Sequence, residues 1–360
     1  MGRAVSRRAA VEFVRSCIAS PLNLALTILV ALLLWQIVPP FVEWAVLDAS
    51  WRGTASGDCA NQEAACWVFI HARLGSIVYG TYPQAERWRV DLAALLAPLV
   101  LALMLTPWIR RAPGRGLAPI LLYPVIAGFL LCGGAFGLAP VATADWGGLM
   151  LTLVIAASTI TTAIPLGLLL ALGRRSALPF IRFLAVAFIE LVRGMPLVAV
   201  LFMAVVMLPL FMPAGVEIDK LLRALVAFAL FNAAIMAEVF RGGFQAVPAS
   251  QYEAAQSLGI GSGRTLLLVV LPQIVKVAIP GIVNTCISIT KETTVVLIVG
   301  LVDFLAAIQA GVSDPAWLTG EHIRSTGYLF VALVFWCLCF GMSRLSRRLE
   351  RRLATGRPAA

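Results

Sequence analysis

Eight separate apolar runs dominate this chain, each near the length a helix needs to cross a lipid bilayer. They lie at 22–42, 91–109, 117–139, 148–172, 185–211, 221–240, 266–289 and 327–343. A bilayer core takes about 20 consecutive apolar residues in a helix. In lipid each backbone N–H and C=O must be satisfied internally, which favours helices for runs of this kind. Hydrophobic residues make up 61% of the chain and charged residues only 13%, where a soluble domain carries about 25%. That excess excludes a soluble enzyme, a disordered chain and a nucleic-acid-binding domain. The expected fold is an all-α integral membrane protein with about eight transmembrane helices, and its first partner is the lipid bilayer.

The formal charge of +10 is placed to suit a membrane rather than nucleic acid. Arg3, Arg7, Arg8 and Arg15 precede the first run, and Arg344, Arg347, Arg348, Arg351, Arg352 and Arg357 follow the start of the last one's exit. Arg110, Arg111 and Arg115, then Arg174, Arg175 and Arg182, then Arg241 and Arg264 fall in alternate loops on the same side as the termini. Cytoplasmic loops carry such an excess of Lys and Arg. Both termini are therefore expected in the cytoplasm. The opposite loops hold Asp145, Glu217, Asp219, Asp314 and Glu321. The first apolar run is too long for a signal-peptide core and lacks a small-x-small cleavage site, so it reads as a retained span. The outer loop 43–90 contains Trp44, Trp51, Trp67 and Trp88, which suit a membrane interface.

Residues 293–310 are apolar enough for a ninth span, but a ninth crossing would place the Arg-rich C-terminus outside. This segment is expected as helix buried in protein, or re-entrant, near the outer side, with Gly300 and Asp303 in it. The character of the chain changes near residue 140, after which charges enter the spans. Among the seven cysteines there is no CxxC, and only two histidines are present, so no metal site is expected. Cys59 and Cys66 flank a short polar loop. They form a disulfide if that loop faces an oxidising compartment, and two unpaired thiols if it does not.

The loop between the sixth and seventh runs, residues 241–265, is the most informative stretch. Pro248 precedes a short helix expected over about 251–258. Ser250 and Glu253 have capping-box spacing, and Gly259 stands where a left-handed C-terminal cap belongs. Glu253, Ala254 and Ala255 are displayed on this helix. A second helix starts near Ser262 and is interrupted at Pro272. Within the spans, Glu190 and Arg193 are three apart, as are Glu238 and Arg241, so each pair shares a helix face and reads as a structural ion pair. Gly194 and Pro196 break the helix after the first pair. Lys291 and Glu292 lie at the end of the seventh run. An intramembrane ionisable pair marks a functional site by default, since a lone charge there costs roughly 2.5–3.5 kcal/mol; the alternative is an ion pair that stabilises the following turn.

The spacing Glu253-Ala254-Ala255, three residues, Gly259, nine residues, Val269, one residue, Leu271-Pro272 resembles the EAA loop of ABC-importer permeases, with Val for Ile. Glu190-Leu-Val-Arg193-Gly194-Met-Pro196-Leu and Ala237-Glu238-Val-Phe-Arg241-Gly242-Gly243 resemble segments of the polar amino-acid branch (His/Glu/Gln/Arg/opine). Lys291-Glu292-Thr293-Thr294 stands where that branch has K-D-T-S. The resemblance covers about residues 145–345. Tyr82 to Leu92 resembles the longer general L-amino-acid permeases, which carry three extra N-terminal spans.

The resemblance implies a type I permease core at 145–345, a three-span extension at 1–144 and a basic cytoplasmic tail at 346–360. It implies that Glu253, Ala254, Ala255, Gly259, Leu271 and Pro272 couple to a separate ABC ATPase. The expected lining of a substrate path is Asn284, Lys291, Glu292 and Thr293. Further implied partners are a homologous permease and a periplasmic amino-acid-binding protein, at the bacterial inner membrane. Gly259-Ile-Gly261-Ser-Gly263-Arg264-Thr265 is not a phosphate loop, because Leu258 and Arg264 replace its glycine and lysine. The chain is thus expected to hold no cofactor, to leave ATP to its partner and to perform no covalent chemistry. The competing reading is an autonomous secondary transporter, which requires an inverted repeat; none is visible.

Overall fold

The computed structural model describes residues 12, 15–59, 63–104, 114–134, 137–213, 215–317 and 322–354. Arg3, Arg7, Arg8, Arg110, Arg111, Glu321 and Arg357, used in the charge argument, lie outside the described residues. The described chain is helical, with three isolated β-bridges and no strand. Contacts divide it into two compact units: Met1–Ala72 with Val312–Gly327, and Arg73–Gly311 with Tyr328–Ala360.

In the first unit, helix α1 (Pro21–Val42) is capped by Ser20, whose Oγ accepts from Asn23 N–H at 3.1 Å. Pro39 and Pro40 lie inside it, and a π-wound turn carries the helix on to Leu47, five residues past the expected end. The expected outer loop 43–90 is itself structured. It contains helix α2 (Trp67–Tyr79). Cys59 and Cys66 are joined by a disulfide. Trp51 stacks on Trp67 with centroids 5.3 Å apart, and Phe69 meets Trp317 edge-on. Cys66 N–H donates to Thr326 Oγ1 at 3.0 Å. Asp58 accepts from the backbone N–H of Thr54 and Ala55, and these bonds hold its carboxyl below the usual range.

The second unit opens with α3 (Arg87–Met104) and α4 (Gly114–Cys132). Two side chains of the Tyr82–Leu92 stretch pin them. Tyr82 O–H donates to Leu131 O at 2.8 Å. Arg89, 1% exposed, donates to Ala139 O at 2.7 Å and pairs with Glu86 at 2.6 Å. The core is built on α5 (Gly148–Arg174) and α8 (Lys220–Ala246). Gly167 permits their close approach, because a Cβ there would lie 2.6 Å from Met236 Cβ; small residues let membrane helices pack in this way.

Among the described residues, five helices are long and apolar enough to cross a membrane: Pro21–Leu47, Gly148–Arg174, Lys220–Ala246, Ser262–Val299 and Ile323–Arg348. A sixth follows if α6 (Pro179–Arg193) and the segment Leu197–Phe211 form one crossing. The second and third expected spans fall on helices α3 and α4. Arg87–Met104 opens with Arg87, Arg89 and Asp91, Gly114–Cys132 follows it, and residues 105–113 between them lie outside the described residues. The fifth run, expected over 185–211, starts at Pro179 and bends by 105° after Arg193. Gly194 ends α6, and Pro196 disfavours helix at Met195 and starts α7 (Leu197–Phe202).

The seventh helix is not interrupted at Pro272. Ser262–Arg264 leads into π-wound Thr265–Val270 and then α10 (Leu271–Glu292), with α9 (Ala249–Ser257) before it. The wider turn absorbs the N–H that Pro272 lacks and its ring's clash with the preceding carbonyl. After Glu292 the chain tightens into a 3-10 turn, Thr293–Val299. Gly300 is left-handed at φ 72°, and α11 (Phe304–Val312) follows. Thr293, Val296, Val299, Asp303, Phe304 and Ile308 are buried in protein. The last helix, α12 (Ile323–Ala354), runs well past the expected end at 343 and takes Arg344, Arg347, Arg348 and Arg351 into helix.

Candidate coupling and translocation site

Helix α9 is short and mostly polar, and its two ends are built differently. The expected capping box does not form: the helix starts at Ala249, and Pro248 is its N-cap with no side-chain bond. Pro248 already has extended backbone at φ −62°, ψ 149°, so the helix begins directly after it. Ser250 then falls inside the first turn, where its hydroxyl cannot act as a cap. The C-terminal end is closed by a Schellman motif. Gly259 N–H donates to Gln256 O at 2.9 Å and Ile260 N–H to Ala255 O at 3.0 Å, with Gly259 at φ +71°. These bonds satisfy carbonyls the helix end would otherwise leave orphaned.

Only part of the Glu253-Ala254-Ala255 group faces outward. Glu253 and Ala254 are exposed, whereas Ala255 is buried. Tyr252 packs against a core that includes Phe240, Phe244, Val247, Val270 and Ile274. Gln273 Nε2 donates to Gln251 Oε1 at 3.0 Å and to Val269 O at 2.9 Å. One side chain thus ties α9 to the base of α10. Leu271 is half-buried beside it and Pro272 is exposed.

At the same end of this unit, five charges from three helices form one network. Arg174 Nη1, at the end of α5, lies 3.1 Å from Glu190 Oε1 and 2.8 Å from Glu238 Oε1. Arg193 approaches Glu190 at 3.9 Å and Glu238 at 3.7 Å. Arg241 contacts Glu238 at 2.7 Å. The spacing of Glu190 with Arg193 and of Glu238 with Arg241 was visible in the sequence. The role of Arg174 was not, because it is 16 and 64 residues from its partners.

Along α10 the expected path residues separate. Asn284 and Lys291 are exposed, Glu292 is half-buried and Thr293 is fully buried, with its hydroxyl donating to Thr290 O at 2.9 Å. Glu292 Oε2 is buried with no hydrogen-bond partner among the described residues. Lys276 and Pro280 are exposed and Ser288 half-buried on the same helix. At about 100° per residue, Lys276, Asn284, Ser288 and Lys291 fall within an arc of roughly 120°, which Val277, Pro280 and Ile287 share. Four-residue spacing was the signal for this stripe. Polar side chains facing lipid are costly, so such a stripe faces protein or water.

Segment 293–310 is fastened to the start of α5. Gly148 N–H donates to Val302 O at 2.9 Å, and Phe304 N–H donates to Thr152 Oγ1 at 3.0 Å. Asp303 caps α11 by accepting from Ala306 N–H at 2.9 Å, and burial pushes its carboxyl up to about 6. Among the described residues, no three His, Cys, Asp or Glu side chains gather as a metal site.

Several helices long enough to cross a membrane, a bend held by a charge network and a short polar helix after α8 make up a multi-pass membrane protein. Residues 163–355 match the family of binding-protein-dependent transport system inner membrane components, and the chain belongs to that family. It is 49% identical over 355 residues to the inner membrane amino-acid ABC transporter permease protein YhdY of Escherichia coli (strain K12), covering 98% of this chain and 95% of that protein. It is 34% identical to the glutamate/glutamine/aspartate/asparagine transport system permease protein BztC of Rhodobacter capsulatus, covering 97% and 95%. A solved amino acid ABC transporter with histidines matches at TM-score 0.50 and 30% identity, over 57% of this chain and 92% of that one. The chain is the permease component of an ABC importer, a multi-pass membrane protein rather than an enzyme, and such a permease works with an ATPase partner.

Proposed function

We propose that this chain forms the translocation path for polar L-amino acids and links it to the ATPase through α9. The carrying observation is one mechanical line. Glu253 and Ala254 are displayed on α9, Gln273 ties α9 to α10 through Gln251, and α10 carries the exposed Asn284 and Lys291. Force on α9 therefore reaches the polar stripe without crossing a flexible linker. The five-charge network beside it holds α5, α6 and α8 at the bend after Arg193. The names of the relatives support amino acids as the cargo.

In this reading the ATPase seats on Glu253, Ala254 and the left-handed exit at Gly259. A homologous permease covers the stripe of α10, and a periplasmic amino-acid-binding protein delivers substrate to the outer face. Both termini are cytoplasmic and the membrane is the bacterial inner membrane. Residues 145–345 are the core, 1–144 an extension with its outer segment 43–90, and 346–360 a basic tail. The extension is supported by a length argument: the solved amino acid transporter chain is matched over 92% of its length by only 57% of this chain. ATP is used by the partner, and this chain holds no cofactor.

The test is uptake of labelled amino acids into proteoliposomes containing this chain with its co-purified subunits. Uptake that needs ATP and the ATPase supports the proposal. Uptake by this chain alone, driven by an ion gradient, would make it a secondary transporter.

A further inference from the structure

A cavity that no residue of the α10 stripe lines lies where the starts of α5 and α8 meet the turn at Gly300. Its volume is about 360 Å³, at the small end of the roughly 300–1,000 Å³ of ligand pockets. Asp219 and Lys220, neighbours in sequence, both line it, and both have hydrogen-bonding capacity to spare. Lys220 Nζ donates to Gly300 O at 2.9 Å. An ammonium has about three donors, so roughly two remain. Asp219 accepts from Leu222 N–H at 2.8 Å and from the Thr143 hydroxyl. A carboxylate accepts about four bonds.

Two 27-residue helices begin at this cavity. Gly147, the N-cap of α5, offers no side chain to the first-turn N–H groups. Each helix start carries partial positive charge. Trp146 adds a largely buried ring to the lining, 6% exposed, and its indole Nε1 is sealed from open space with no hydrogen-bond partner among the described residues. Buried donors normally have one. The hydroxyls of Ser76 and Thr81 complete a polar wall.

Spare donors and positive helix ends, set beside an anion with open acceptor sites, match the two ends of an α-amino-acid zwitterion. We propose that this cavity is a separate recognition site for the backbone groups of a free L-amino acid. The carboxylate is taken by Lys220, beside the positive start of α5, and the ammonium by Asp219. Because these groups are common to all amino acids, the site selects for the zwitterion and only weakly for the side chain. The proposal rests on the amino-acid reading above.

The experiment is equilibrium binding of tritiated L-glutamine, L-glutamate, L-histidine and L-arginine to the full chain in lipid nanodiscs, without ATPase. Saturable binding of at least two of them is expected, with displacement by unlabelled amino acids but not by their α-carboxamides or deaminated analogues. Lys220→Gln should weaken binding tenfold or more. Asp219→Asn, which keeps the helix cap, should do the same, as should Ala310→Trp, which fills the cavity from an exposed position. Arg348→Gln, at an exposed position near the end of α12, should leave binding unchanged. Each variant is first checked for wild-type elution and thermal unfolding. ATP-driven uptake by the complete transporter is measured in parallel. Uptake without binding to the isolated chain, or binding indifferent to all three cavity variants, overturns the cavity site and leaves the permease reading intact. Binding as expected without ATP-driven uptake by the complete transporter overturns the permease reading instead.

Discussion

Arg174 Nη1 lies 2.8 Å from Glu238 Oε1, joining the end of α5 to α8 across 64 residues of sequence. Glu238 is the hub of the cluster: its carboxylate also meets Arg241 at 2.7 Å and Arg193 at 3.7 Å, and its side chain is 15% exposed against 54% for Glu190. Removing the hub leaves three arginines crowded together. Glu238→Gln is expected to lower stability by about 2–3 kcal/mol, below the roughly 3–5 kcal/mol for a fully buried pair. Glu190→Gln should cost less than about 1 kcal/mol, as exposed pairs do. Thermal unfolding of both variants in one detergent checks the order. Equal losses would show that Glu238 is not the hub.

The Tyr82–Leu92 stretch pins α3 and α4 through two buried side chains. Tyr82→Phe removes the bond to Leu131 O, a loss of about 1–3 kcal/mol. Glu86→Gln withdraws the charge partner of Arg89, which is 1% exposed, and should be the more damaging of the two. Limited proteolysis and thermal unfolding of the membrane-extracted protein read both. Wild-type behaviour in Glu86→Gln would mean that Arg89 is satisfied by Ala139 O alone.

The legible and illegible parts divide along one physical line. Local backbone chemistry could be read: Gly259 announced a left-handed helix exit, and Gly194 with Pro196 announced the break after Arg193. Two places are decided by competition between local signals. Ser250 and Glu253 have capping-box spacing, but Pro248 starts the helix earlier; Pro272 signals a break, but a π-wound turn absorbs it. Contacts between helices were out of reach. Nothing near Arg174 in sequence points to Glu190 or Glu238, and nothing near Gln273 points to Gln251. The paired spacings of Glu190 with Arg193 and Glu238 with Arg241 showed half of the charge network without the residue that unites it.

The Cys59–Cys66 bridge closes a short loop in the first unit. In the chain-entropy account a loop this short contributes on the order of 2–3 kcal/mol, local to that segment. Reductant should therefore raise protease sensitivity between α1 and α2 while leaving the second unit's fragments intact. Mass spectrometry of protein purified without reductant should show the two thiols linked. Finding both free would refute the bridge.

Orientation has its own test. Thiol reagents that cannot cross the membrane should label Gly57→Cys from outside intact cells, and Ser250→Cys only after the membrane is opened. Both positions are accessible enough for the comparison, with Gly57 and Ser250 exposed or at an exposed turn. Labelling of Ser250→Cys from outside would put α9 on the wrong side for an ATPase and remove the basis of the coupling proposal.

Gly259 gives the most direct test of α9 itself. Its φ of +71° costs a residue with a Cβ roughly 1–2 kcal/mol, while a Cβ there meets nothing within 4 Å. The penalty of a substitution is thus conformational, and the Schellman bonds from Gly259 and Ile260 are what it disrupts. Gly259→Val should redirect the chain as it leaves α9 and displace the exposed Glu253 and Ala254, without touching the buried core. Gly259→Asn, which tolerates the left-handed conformation better, should lie between the variant and the wild type. Membrane insertion and unfolding temperature should stay near wild type in both. ATPase retention during purification and ATP-driven uptake should fall in the order wild type, Asn, Val. Full retention and uptake in Gly259→Val would mean that the helix is only a solvated connection between α8 and α10.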